Sequence, residues 1–424
     1  MKALLQRAGG WRLNLAASLL AFSTYFCMYA FRKPFAAGSY DAPGGFGLDL
    51  KTLFVVSQVL GYTLSKYLGI KWVSEVTRAR RVYLLIGLIA AAELALLGFA
   101  LLPRGGKVVA IFMNGLPLGM IWGLVVRYLE GRRSSDVLLS ALSCSFILAS
   151  GVVKDVGRWL LTLGVAEYWM PALAGLLFLP ALIVSAWLLD ALPDPNAADA
   201  AAREARPPMG AAERAAFGRQ FLFGLVLLLF VYLGLTAFRD FRDNFGVELF
   251  QELGYAAEPA IFSKTELPVA LLVLVVLSSL VVFHQRVAGL IAVFAVMLGG
   301  LVLIGAATLG LDRGWVSGQV WMICGGLGAY LAYVPFSSFL FDRIMAATRF
   351  AGTAVFAVNV LDAAGYTGSV AMQLYKDLVA GASTRLAFFK TVSYTLSVGG
   401  TLLLAGAAVY FIARARASEA RAWG

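Results

Sequence analysis

An all-α membrane protein of twelve transmembrane helices, arranged as two pseudo-symmetric six-helix bundles, is the fold class this sequence predicts. Three observations carry it. The 424 residues are 60% hydrophobic and only 14% charged, with a mean hydropathy of +0.81, whereas soluble domains are roughly half apolar. Long apolar runs recur along the whole chain, and they are continuous rather than alternating, as spanning helices require. One long polar connection, 191–218, divides the runs into two sets.

Taken in order, the first run (11–35) follows Lys2, Arg7 and Arg12. It is longer than a signal-peptide core and lacks a small-residue cleavage site, so it reads as an uncleaved span. Spans at 51–74, 82–103, 107–130, 137–163 and 168–190 complete an N-terminal bundle, 1–190. The connection 191–218 holds Pro193, Pro195, Pro207, Pro208 and mixed charges and reads as a cytoplasmic linker with some helix. Spans at 219–243, 260–284, 286–310, 314–341, 348–376 and 386–414 form a C-terminal bundle, 219–424. Within the spans, Gly115-Leu-Pro117-Leu-Gly119 and Gly325-Gly-Leu-Gly328 permit close helix approach.

Orientation follows the Lys/Arg bias of short loops. Connections 75–81, 131–136, 191–218, 284–286 and 342–349 and the C-terminal tail are basic and share the side of the N-terminus. Both termini are therefore expected in the cytoplasm of a multi-pass plasma-membrane protein, with a bacterial inner membrane as the setting. Arg104, Lys107, Lys376, Arg385 and Lys390 fall on the other side, against the bias. This asymmetry accounts for most of the net charge of +11. Cys27, Cys144 and Cys324 lie in apolar runs without CxxC spacing, so neither disulfide nor metal site is expected. A single histidine, His284, argues against zinc hydrolysis and against imidazole-based catalysis. No cofactor and no enzymatic activity are expected. The expected partners are the lipid bilayer and a small anionic substrate, with no nucleic acid, and the expected state is a monomer.

Charges inside spans need their own account, because each costs about 2.5–3.5 kcal/mol at mid-span on insertion scales. The first span closes on Tyr25…Tyr29…Arg32-Lys33, and the seventh holds Tyr232…Thr236…Arg239-Asp240. Positions i, i+4 and i+7 share a helix face, so each half aims one arginine and two hydroxyls in one direction. Arg32 either faces a central cavity or snorkels to the interface, and Lys33 faces elsewhere, nearer water. Arg239 with Asp243 is an i, i+4 pair that would neutralise locally, leaving either Arg239 or Arg242 to face a ligand. Lys66 follows Tyr62 in the second span, and Lys154-Asp155 lies in the fifth. Glu93 sits mid-span among apolar residues and needs a partner or a proton. Asp155, Asp243, Glu266 and Asp362 are, with Glu93, candidate proton carriers or structural ion-pair members.

Two six-span halves joined by a central loop resemble the major facilitator superfamily, whose substrate site lies at mid-depth where its repeats meet. Tyr25…Tyr29…Arg32-Lys33 resembles the first helix of the organophosphate:phosphate antiporters of that superfamily. Gly61-Tyr62 to Lys66, running into Ser74-Glu75…Arg78-Ala-Arg80, is similar to that family's second helix and signature loop, with Glu75 where aspartate is usual. Tyr333-Val-Pro335 and Ala351-Gly352-Thr353-Ala resemble its tenth and eleventh helices. The resemblance implies that Arg32 and Arg239 grip a substrate phosphate, with Tyr25, Tyr29, Lys66, Tyr232, Thr236, Arg242 and Lys154 nearby. It also implies alternating access and exchange for inorganic phosphate. A family histidine in helix 5 is missing here, and Lys154-Asp155 stands in that span instead. Two other readings keep the fold: a proton-coupled transporter of an organic solute, and a non-transporting membrane sensor of such a ligand.

Overall fold

The computed structural model describes residues 11–45, 47–129, 135–194, 211–283, 285–350 and 355–420. His284, the stretch 351–354 and most of the connection 191–218 lie outside them, as do the side chains of Ser74 and Glu75. The described chain is helical almost throughout, and every expected span finds a helix. These are α1 (Trp11–Met28), α2 (Leu50–Glu75), α3 (Arg78–Leu101), α4 (Arg104–Leu129), α5 (Ser135–Thr162) and α6 (Met170–Asp190). There follow α7 (Ala211–Asn244), α8 (Ile261–Ser279), α9 (Arg286–Asp312), α10 (Gly318–Ser338), α11 (Val355–Leu378) and α12 (Arg385–Ala420). Among the described residues, nine of these stretches are long and apolar enough to cross a membrane. The others, α2, α5 and α11, are 26, 28 and 24 residues long, and at 1.5 Å per residue each exceeds a bilayer core of about 30 Å. Large apolar side chains such as Leu94, Val109, Leu402 and Val409 point outward from the helices, the arrangement that lipid rather than water stabilises.

The chain gathers into two compact units. One comprises Met1–Arg203 with Asn244–Ala270 and Gln373–Gly381; the other comprises Glu204–Asp243, Leu271–Met372 and Ala382–Gly424.

In the first unit, α2 and α4 pack closely because glycine removes the side chains where they meet. A methyl group on Gly61 would strike the Phe112 carbonyl, and one on Gly115 would strike the Gln58 carbonyl. Helix α1 is shorter than the first span read from the sequence. It ends at Met28, passes through a 3-10 turn at Tyr29–Phe31, and resumes as a second turn at Pro34–Ala37. Pro34 supplies no amide hydrogen and disfavours continued α-helix before it, so the break falls on Arg32 and Lys33. A two-stranded ribbon, β1 (Pro43–Gly45) with β2 (Leu48–Asp49), then leads into α2. Tyr40 precedes it in a left-handed conformation, φ 51°. Its ring packs on Phe54, Phe99 and Tyr168, and burial, reinforced by Glu167 and Tyr168, raises its phenol well above the ordinary value.

In the second unit the same device joins α9 and α10: a Cβ on Gly300 would lie 2.5 Å from the Gly328 carbonyl oxygen. Aromatic stacking holds α7 to α12, with the Phe238 and Phe389 rings 4.6 Å apart. Helix α12 contains a π-helical turn at Leu396–Gly400. Lys390, one of the cations against the orientation bias, is paired with Asp312 at the end of α9.

Candidate functional site: two arginine–tyrosine clusters

In the first unit the break after α1 leaves backbone carbonyls without helical partners. Two buried amides from neighbouring helices take them up. Asn114 of α4 donates to the carbonyls of Phe31 and Ala92, each at 3.0 Å. Gln58 of α2 donates to the Arg32 carbonyl at 3.0 Å and to Asn114 Oδ1 at 2.8 Å. The two amides therefore fix where Arg32 sits. Its guanidinium carbon lies 3.9 Å from the centre of the Tyr62 ring and 5.8 Å from that of Tyr29. Lys66 shares the Tyr62 ring at 5.6 Å. Tyr25 stands behind, its ring 5.6 Å from Tyr29 and 4.9 Å from Trp122. Arg32 is only 7% exposed. A planar cation laid on aromatic faces is held in orientation, and its edge is what an anion would meet.

Lys33 does not turn to water. It is buried, and its Nζ donates to Asn244 Oδ1 at 2.8 Å, because the break in α1 rotates it away from the position a continuous helix would give. Around it the first unit carries further polar ties. Lys51 pairs with Glu248 at 2.6 Å. The Asp155 carboxylate accepts from the backbone amides of Phe262 and Ser263 at 3.3 and 2.6 Å, capping the start of α8. Lys154 lies over the Phe262 ring at 4.6 Å. Glu266 packs against Gly151.

The second unit holds Arg239 differently. Here α7 runs unbroken to Asn244, since no proline follows the arginine closely, so equal spacing in the sequence gives unequal local structure. Arg239 lies over the Tyr333 ring at 4.1 Å. Its Nη2 and Nε both donate to Asp240 Oδ1, at 2.9 and 3.2 Å. The carboxylate on Arg239 is thus that of the next residue, Asp240, and no described residue offers an acceptor to its Nη1. Tyr232 stacks on Tyr333 and donates to Asp362. The two hydroxyls are 2.9 Å apart; with the Tyr232 proton on Asp362, Tyr333 is the donor between them. Thr236 bonds back to the Tyr232 carbonyl at 2.8 Å and packs against Gly365. Arg242 is turned into α10: it donates to the Met322 carbonyl at 2.9 Å and fills the space that Gly326 leaves. Asp243 is half-buried at the end of α7.

Gln58 and Asn114 belong to the first cluster and were not singled out from the sequence, whereas Asp240 stood in the seventh-span motif beside Arg239. The available signal was an uncharged amide inside an apolar span, which is costly to bury without partners.

Residues 34–414 match the Family of unknown function DUF5690. The chain belongs to this family. A search of curated proteins finds no match to the DUF5690 chain. Among solved structures it is similar to the nucleoside transporter NupG, with 14% identity, a TM-score of 0.56, and coverage of 95% of this chain and 98% of that one. It is similar to the peptide transporter POT in complex with alafosfalin, with 17% identity, a TM-score of 0.57 and coverage of 96% and 97%. A D-xylose–proton symporter gives 15% identity, a TM-score of 0.58 and coverage of 92% and 96%. At these identities the likeness establishes the fold alone: this DUF5690 chain is a multi-pass membrane protein with the fold that these structures share, the major facilitator fold.

Proposed function

We propose that this protein is a secondary transporter that moves an anionic, phosphorylated small organic solute by alternating access, in exchange for inorganic phosphate. The observation that carries the reading is the repeated arginine–tyrosine cluster. In each unit a guanidinium lies over a tyrosine ring, the buried Arg32 over Tyr62 and the half-buried Arg239 over Tyr333. Burying a cation such as Arg32 is expensive, and an anionic ligand offsets that cost; Arg239, already paired with Asp240, would add a second guanidinium to the same anion. A phosphate oxygen pair matches the guanidinium fork. In this reading Arg32 and Arg239 bind the anionic group, Lys66 adds charge, and Tyr25, Tyr29, Tyr232 and Thr236 shape the surroundings. Lys154 and Arg242 contribute positive potential. Asp155, Asp243, Glu266 and Asp362 hold the fold's ion-pair and hydrogen-bond network. The halves 1–190 and 219–424 are the moving parts, with 191–218 as their linker. Both termini face the cytoplasm of a bacterial inner membrane, and the chain works as a monomer without cofactor or catalysis. The structural neighbours named above are transporters, which supports transport over an enzymatic role.

The test is a thermal-shift screen of purified protein with inorganic phosphate, glycerol 3-phosphate, hexose 6-phosphates and carboxylates of matched charge. A ligand at a hundred times its Kd stabilises by about 2.7 kcal/mol, so phosphorylated ligands are expected to raise the melting midpoint by several degrees and carboxylates by less. If no anion shifts the midpoint, the reading is wrong.

A further inference from the structure

Glu93 stands on the inner face of α3, 6% exposed. Among the described residues, neither of its carboxylate oxygens has a hydrogen-bond partner. One oxygen lies against the backbone of Gly175 in α6, where any side chain would collide with it, and the Phe31 ring closes the same spot. The elements packed on α3 are α4, α6 and the 3-10 turn after α1, and their charged groups are engaged elsewhere. On the α1 side, Arg32 lies on Tyr62 and Lys33 is bonded to Asn244. On α6, the titratable residue is Asp190, which accepts from Tyr128. On α4, Arg104 donates to Pro43, Lys107 to the carbonyls of Phe99 and Ala100, and Arg127 to Val76. On α3 itself, Arg81 donates to the Arg127 carbonyl and Arg78 pairs with Asp194; Arg80 occupies the same first turn of the helix.

An ionised carboxylate in that position is 6% exposed and has no counter-charge in hydrogen-bonding reach among the described residues, a state that proteins avoid by neutralising the group. We infer that Glu93 is a proton-binding site of this protein, occupied in the conformation described here. The position gives the proton a role. Ala92, the preceding residue, has its carbonyl bonded to Asn114, and the same amide holds the Phe31 carbonyl next to Arg32. Any rearrangement of the break that carries Arg32 also moves Phe31, the cover over Glu93. When that cover opens, water reaches the carboxyl and takes its proton, Glu–COOH giving Glu–COO⁻ and a hydronium ion; closure requires the proton back. Resting on the transport reading above, this makes proton binding at Glu93 linked to the state of the Arg32 cluster, and the linkage is reciprocal.

Two measurements decide it. Infrared difference spectroscopy of wild-type protein against Glu93→Gln, without ligand, reads the carboxyl directly. The expected result is a protonated-carboxyl C=O band at neutral pH that is present in the wild type and missing in the variant; identical spectra overturn the inference. Glu93→Gln mimics the neutral acid in shape and charge, so it is expected to fold with an unchanged melting midpoint. In proteoliposomes, an imposed pH gradient is expected to change the initial rate of anion exchange several-fold in the wild type and to leave Glu93→Gln unaffected, with anion binding retained in both. An equal response of the two proteins overturns the linkage. A protein that shows the infrared band yet binds no anion refutes the transport reading and leaves the proton site standing.

Discussion

Arg32→Ala is expected to lower affinity for the stabilising anion by at least about 100-fold, since each charge-assisted hydrogen bond contributes roughly 1.5–3 kcal/mol and a guanidinium fork makes two. The variant should still fold. What holds the break after α1 is its backbone, through Gln58 on the Arg32 carbonyl and Asn114 on the Phe31 carbonyl, and alanine keeps both carbonyls. Arg32→Lys should recover only part of the affinity, because an ammonium restores the charge but neither the fork nor the flat contact with Tyr62. Titration of the melting midpoint against phosphate concentration gives all three dissociation constants. Equal constants for wild type and Arg32→Ala would remove Arg32 from the site.

The second large effect concerns an amide that touches no ligand in this account. Asn114→Leu would strand the Phe31 carbonyl and one Gln58 amide hydrogen, two buried groups at about 1–3 kcal/mol each, while the Ala92 carbonyl keeps its partner within α3. Against a total stability of about 5–15 kcal/mol, the expected outcome is a large drop in melting midpoint and in yield of folded protein. Asn114→Asp has nearly the same shape but lacks the Nδ2 donors, so it should be similarly impaired. Gln58→Leu leaves the Phe31 carbonyl satisfied but removes the donor to the Arg32 carbonyl and to Asn114 Oδ1, and should lower the midpoint to a comparable degree. A melting midpoint for Asn114→Leu within a degree or two of wild type would show that the break does not depend on this amide.

The helices were legible in the sequence because each is a long apolar run, and length and hydropathy alone place a span. The site was legible only as composition. Tyr25, Tyr29 and Arg32 do gather, yet not as one helical face: Pro34 stops the helix before Arg32, and the position of the arginine depends on amides 26 and 83 residues away along the chain. Lys33 seemed bound for water by helical rotation and is buried on Asn244 instead. Asp243 was the natural partner for Arg239 by i, i+4 spacing, but the guanidinium folds back onto Asp240 while stacking on Tyr333. Local spacing does not reveal a ring contributed by a helix almost a hundred residues on. For Glu93 the sequence posed the right question, partner or proton, and only three-dimensional packing could supply the neighbours that bear on it.

The most direct measurement is counterflow of labelled phosphate into proteoliposomes containing the purified protein. The account predicts saturable uptake that is strongly stimulated by a phosphorylated solute on the opposite side and falls to the level of empty liposomes in Arg32→Ala and in Arg239→Ala. Absence of stimulated uptake by a folded, anion-stabilised wild type, or uptake unchanged by either substitution, would contradict it.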